Sequence, residues 1–258
     1  MTQAVRALWR KELREGRWKF AVAAVVLVAV GVSVPLVYNL LGDVLGELLE
    51  DTSVPDILKQ LLPPDLLQMD VYLWSNWHGK NLYQILVIVA IIFGSGAVAG
   101  EFGRGTAPYL FSRPIRRRSV VLVKLGTDLL WMFAAALLGT VALDVTSRVA
   151  HGYAVSWTFY AGLVPVMAGA AFVYSLALYA STRMDDPVKA GVVAAVAAAV
   201  CSIPTFVPAW RDYSVYVQMT GRTLVLEGAF PWLPFLVILA LAAEFAAGAV
   251  RRLERRDI

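Results

Sequence analysis

Residues 101–124 read EFGRGTAPYLFSRPIRRRSVVLVK, and this stretch decides how the rest of the chain is laid out. It lies between two strongly apolar runs and holds six basic residues: Arg104, Arg113, Arg116, Arg117, Arg118 and Lys124. A basic connection between apolar runs of membrane-spanning length marks a cytoplasmic loop, because Lys and Arg accumulate on that side of a bilayer. The loop also carries local structure. Gly103 and Gly105 permit a tight turn, and Thr106 is placed to cap a helix whose first turn contains Pro108. Tyr109, Leu110 and Phe111 supply an apolar face, and Pro114 ends the helix before the run of arginines. The reading is a short helix at the cytoplasmic end of a membrane domain, offering aromatic side chains to the cytosol.

Composition agrees with that placement. The 258 residues are 59% hydrophobic and only 16% charged, with a mean hydropathy of +0.66, which leaves too little charge for the surface of a soluble domain. Apolar runs of about 20 residues are long enough to cross a bilayer as helix. Six can be drawn, at roughly 20–40, 82–100, 119–143, 157–180, 188–208 and 230–250. The expected fold is therefore all-α, a polytopic membrane protein with six transmembrane helices and no separate soluble domain over 1–258. Taking the connections alternately, one side holds 18 Lys and Arg and the other holds 5, which directs both termini to the cytoplasm. The net charge of +4 reflects basic residues at span ends beside anionic lipid, and gives no argument for nucleic acid.

The remaining segments are judged against this frame. Residues 2–19 suggest an amphipathic helix on the membrane surface: Val5, Leu8, Trp9 and Leu13 share one face, and Arg6, Arg10, Arg14 and Arg17 spread over the other. The stretch lacks the form of a cleaved signal. Span 1 is expected to end near Pro35 to Leu40. Residues 41–81 are read as an external cap, with short helices at Val44–Glu50 and from Ser53, a stop at Pro63-Pro64, and Trp74 and Trp77 at the outer interface. Gly94, Ser95, Gly96 and Gly100 permit close helix contact, either inside one chain or at a dimer seam. Lys124 and Asp128, and again Asp144 and Arg148, stand at i and i+4 and can pair. Pro165, Pro204 and Pro208 are expected to bend spans 4 and 5, and Thr223–Leu226 to form a short strand. Cys201 is a single thiol and implies no disulfide.

Catalytic and cofactor chemistry is not signalled. There is no G-x-x-x-x-G-K-[ST], so the chain does not cradle nucleotide phosphates itself, and no G-x-S-x-G or H-E-x-x-H occurs. His78 and His151 are isolated and expected outside the membrane, without the neighbours a metal site needs. Glu244, inside span 6, either joins a proton relay or reaches Arg251 and Arg252 at the membrane edge; the second, structural reading is favoured.

The loop resembles a pattern found in ABC-2 type permeases, the membrane subunits of ATP-binding-cassette exporters. It runs from an acid at the end of span 2 through Gly-Thr and Leu/Ser-Pro to a basic cluster. Here these are Glu101, Gly105-Thr106, Leu110, Ser112, Pro114 and Arg116–Arg118, with Lys124 beyond; Arg113 interrupts Ser-Pro, and Val123 replaces a usual glycine. Lys11-Glu12-Leu13 and the ending Arg256-Asp257-Ile258 are similar to other family features. The resemblance implies that residues 104–114 form a coupling helix docking on a separate ATPase through Arg104, Thr106, Tyr109, Leu110, Phe111, Arg113, Arg116 and Arg117. Glu101, Lys124, Asp128 and Glu244 would have coupling or structural roles, and the 182–188 turn a smaller contact. ATP and Mg would sit on two copies of that ATPase, none on this chain, and a second permease chain would complete the pathway in the cell membrane. Export is the default direction, since no substrate-binding protein is implied. The competing readings are a non-transporting membrane scaffold and an ion-coupled carrier; the latter predicts repeated broken helices with facing acids, which the chain lacks.

Overall fold

The computed structural model describes residues 3–50, 68–112 and 115–256, with only the backbone helix described for 41–50. All regular structure among the described residues is helical. Six helical segments are long and apolar enough to cross a membrane: residues 3–40, 69–103, 117–151, 157–181, 187–206 and 232–254.

The first helix, α1 (Gln3–Glu50), differs from expectation because nothing breaks it. From Gln3 on, the expected surface helix, the span at 20–40 and the short helix at Val44–Glu50 are one continuous helix. At 1.5 Å per residue it is about 72 Å long, more than twice the hydrocarbon thickness of about 30 Å. Pro35 lies inside it without ending it. Neighbouring side chains hold the backbone there: Tyr72 Oη donates to the Val34 carbonyl at 3.0 Å, and a ring nitrogen of His151 lies 2.7 Å from the Pro35 carbonyl oxygen. The expected helix from Ser53 and its stop at Pro63-Pro64 lie outside the described residues.

Next come α2 (Met69–Asn76), a π turn (Trp77–Leu82) and α3 (Tyr83–Gly103), which follow one another without a gap. The π turn carries Trp77 into the core rather than to an outer interface. Its side chain is fully buried, and its indole donates to Thr140 Oγ1 at 3.1 Å. His78, expected outside the membrane, is also fully buried, edge-on to Phe159 at 5.5 Å.

A short helix, α4 (Ala107–Phe111), leads to α5 (Arg117–His151), which stops at Gly152 in the left-handed region. α1 packs along α5. They approach so closely that a Cβ on Gly31 would stand 2.3 Å from the Gly139 carbonyl oxygen.

The fourth span is α6 (Trp157–Ala161) followed by α7 (Leu163–Ser181), and it is the central one, packing on α3 and on the last helix. Of its most apolar window 78% is buried, against 17% for each of the two spans that follow. Gly94 and Ser95 belong to this internal packing. Gly94 faces the Tyr174 carbonyl, and Ser181 Oγ donates to the Ser95 carbonyl at 2.8 Å; Gly96 has open space.

α8 (Pro187–Cys201) begins where Asp186 accepts from the Val188 and Lys189 N–H groups. It is followed by α9 (Ile203–Phe206) and a 3-10 turn (Pro208–Tyr213). Pro165, Pro204 and Pro208 stand in opening turns of these helical pieces, where a proline has no helical N–H to lose. After α10 (Val215–Met219), the expected strand at 223–226 is helix α11 (Arg222–Glu227). Gly221 and Gly228, both at positive φ, turn the chain at its two ends. The last helix is α12 (Trp232–Glu254).

The four segments assigned to one side by their Lys and Arg meet at one end of the bundle, called the basic end below. α1 reaches the 101–124 loop through Lys11 and Glu101, the loop reaches α12 through Arg117 and Leu253, and Arg256 reaches the turn at Thr182.

Candidate functional site

The site is the connection from α3 to α5 at the basic end. α3 ends in a turn through Arg104 and Gly105, the latter at φ 70°, where a side chain would strain the backbone. Thr106 occupies the N-cap position of α4 but does not cap it. Its hydroxyl donates instead to the Glu101 carboxylate at 2.5 Å, and its N–H to the Glu101 carbonyl at 2.9 Å. The turn is thereby folded back on the end of α3.

Glu101 is the centre of a buried knot of charge. Its side chain is 1% exposed, and Lys124 Nζ, itself 5% exposed, lies 2.9 Å from Glu101 Oε1 and 3.0 Å from Glu12 Oε1. Lys11 Nζ is 3.1 Å from Glu101 and 3.5 Å from Glu15, and Arg104 approaches Glu101 at 3.6 Å. Oxygens of Glu12, Glu15 and Glu101 lie within 4.8 Å of one another, but Lys11, Arg104 and Lys124 already offset their charge. The expected Lys124–Asp128 pair does not form. An i,i+4 pair is worth only about 0.2–0.5 kcal/mol, and Lys124 finds two acids from other helices. Asp128 turns into the bundle and accepts from Tyr174 Oη at 2.8 Å. The other i,i+4 pair does form, with Arg148 Nε 2.8 Å from Asp144.

The three apolar residues of α4 do not make one face, because consecutive helical residues point about 100° apart. Leu110 is 5% exposed and packs with Leu8, Val120 and Val123. Phe111 is half-buried, with its ring 6.3 Å from that of Phe102. Tyr109 alone projects, at 68% exposure. Between α1 and α4 lies a cleft of about 590 Å³ lined in part by Lys11, Glu15, Trp18, Arg104 and Tyr109.

The arginines divide as well. Arg104 and Arg116 are exposed, while Arg113 and Pro114 lie outside the described residues. Arg117 turns inward, stacks on Phe111 and donates to the carbonyls of Leu253 at 2.7 Å and of Arg256. Glu244 stands apart on α12, exposed and paired with Arg251.

Arg256 was noted by sequence reasoning only as part of a charged ending and was given no contact. Its guanidinium lies 3.8 Å from the centroid of the Phe102 ring and donates to the Thr182 carbonyl at 2.9 Å and to the Asp185 carboxylate. It clasps the end of α3 to the 182–185 turn. Glu12 and Glu15 carried a fainter signal, as the only acids in an otherwise basic helix start.

This arrangement defines a class: a multi-pass membrane protein with a short helix braced at its basic end by buried charge. A family model described as ABC-2 family transporter protein matches residues 7–209, and the chain belongs to that family. It is a membrane permease component of an ATP-binding-cassette transporter, a transport component and not itself a catalyst. A comparison with curated proteins returned no match.

Proposed function

We propose that the chain is the permease subunit of an exporter, with its basic end and both termini in the cytoplasm and the bundle in the cell membrane. Residues 104–114 are its coupling element, docking on a separate ATPase, two copies of which serve a pair of permease chains around one pathway. ATP and Mg are bound by the ATPase. The observation that carries this reading is the knot of Glu12, Glu101 and Lys124. It ties the loop to α1 and α5, so a push on α4 is delivered to two spans at once instead of being absorbed by a slack connection. Tyr109, Arg104 and Arg116, all exposed, supply the contact itself.

The test is co-purification from the native membrane in mild detergent, comparing wild type with a Tyr109→Ala/Arg116→Ala variant. An ATPase subunit is expected with wild type and at least about ten-fold less with the variant, the equivalent of 1.4 kcal/mol. Because these side chains project outward, the variant is expected to keep its melting temperature. An ATPase retained equally by both proteins would remove the docking assignment, and its absence from wild type would favour a scaffold.

A further inference from the structure

A second site lies at the basic end and shares no residue with the coupling loop's charge knot. Tyr179, Arg183, Leu241, Glu244, Phe245, Gly248, Arg251, Arg252 and Arg255 line a groove of about 640 Å³ between α7 and α12. The groove has an aromatic floor. Phe245 packs edge-on to Tyr179 at 6.0 Å, and Gly248 leaves the Tyr179 ring uncovered, since a Cβ there would stand 3.2 Å from Cε2.

Its rim is cationic. The Arg183 guanidinium lies 4.5 Å over the Tyr179 ring, and Arg251 is paired with Glu244. Arg252 and Arg255 are exposed and have no hydrogen bond or ion pair among the described residues. Three arginines therefore remain uncompensated around one concavity. Away from this rim, Leu241, Val237 and Leu233 follow at intervals of four along α12, all exposed, which makes one continuous apolar ridge.

We infer that this groove binds an anionic phospholipid, its phosphate among Arg183, Arg252 and Arg255 and an acyl chain along Leu241, Val237 and Leu233. The order of chemistry along the groove matches such a molecule: several cations at one end, aromatic rings at the level of the glycerol, then aliphatic side chains. Basic pockets between spans at the cytoplasmic leaflet recognise anionic headgroups in this manner. Glu244 lowers the positive potential of the site and pairs with Arg251.

The experiment measures lipid retention by native mass spectrometry of the purified full chain in mixed micelles containing either phosphatidylglycerol or phosphatidylcholine. Wild type is expected to keep phosphatidylglycerol preferentially, and each of Arg183→Gln, Arg252→Gln and Arg255→Gln to weaken it roughly five-fold. Glu244→Gln is expected to strengthen retention, a gain that misfolding cannot produce. An Arg6→Gln/Arg10→Gln variant, which removes the same kind of charge elsewhere, is expected to behave as wild type. Three results would overturn the inference: no preference for phosphatidylglycerol, an equal loss in the Arg6/Arg10 variant, or full displacement of the lipid by millimolar inorganic phosphate. The last would assign the rim to a soluble anion.

Discussion

The two ends of the bundle are held together by different chemistry. At the basic end, α1, the 101–106 turn and α5 meet through formal charges buried at 1%, 5% and 11% side-chain exposure. At the opposite end, neutral donors reach backbone carbonyls: Tyr72 to Val34, Trp74 to Thr220 and Thr158 to Val225. One acid, Asp144, works there as a hub, accepting from Arg148, Tyr160 and the Val155 N–H. Neutral links of this kind are nearly independent, and losing one leaves the others standing. A buried cation shared by two acids is not divisible in that way, because its removal strands like charges together out of water. The basic end is therefore the stiffer joint, and the opposite end the more tolerant one.

Three substitutions sharpen or break this contrast. The largest effect is expected from Lys124→Met, which removes the one buried cation of the knot and leaves Glu12 and Glu101 only the more exposed Lys11 and Arg104, and is expected to cost about 3 kcal/mol. Denaturation in detergent would measure it, and adding Glu101→Gln to the same chain is expected to restore part of the loss. A cost below that of a single neutral bond would show that water reaches the knot. Asp144→Asn is expected to fall between the extremes, since the amide can still accept one bond but no longer pairs with Arg148. Limited proteolysis of the 152–156 connection is the direct readout, with faster cutting expected. The smallest change is Tyr72→Phe, expected to cost about 0.5–1.5 kcal/mol in the same denaturation measurement. A larger loss there would mean that the Val34 contact, next to Pro35, braces α1 more than one hydrogen bond should.

Much of the architecture was legible because it follows from length and hydropathy, which act locally along the chain. All six spans fall where apolar runs of bilayer length lie, and the segments grouped by Lys and Arg do meet at one end. The junctions were less legible. Nothing within residues 15–25 says whether a surface helix and a span are separated by a break, and α1 resolves the matter by running on as one unbroken helix against α5. Residues 223–226 carry a strand-like Thr-Leu-Val-Leu pattern, but Gly221 and Gly228 close a short helix around it. Trp77 looked like an interfacial residue by its position before an apolar run; the π turn rotates it into the core. Within the site, Glu101 and Lys124 could be singled out, while the partner of Lys124 could not, because Glu12 lies 112 residues away in sequence. Arg117 and Arg256 were hidden for the same reason: an arginine that caps a distant helix looks, in sequence, like one more charge at a membrane edge.

The clasp formed by Arg256 also bears on how the protein is made. Its partners, Phe102 and the 182–185 turn, are synthesised long before it, and Arg256 itself follows α12. A nascent chain with five spans inserted cannot close this clasp, nor can Arg117 reach the carbonyls of Leu253 and Arg256. The surface shared by the α3–α5 connection and the 182–186 turn is thus completed only when the last helix has been threaded into the bilayer. Synthesis order becomes a form of quality control: a chain that stalls before its sixth span exposes an unfinished face.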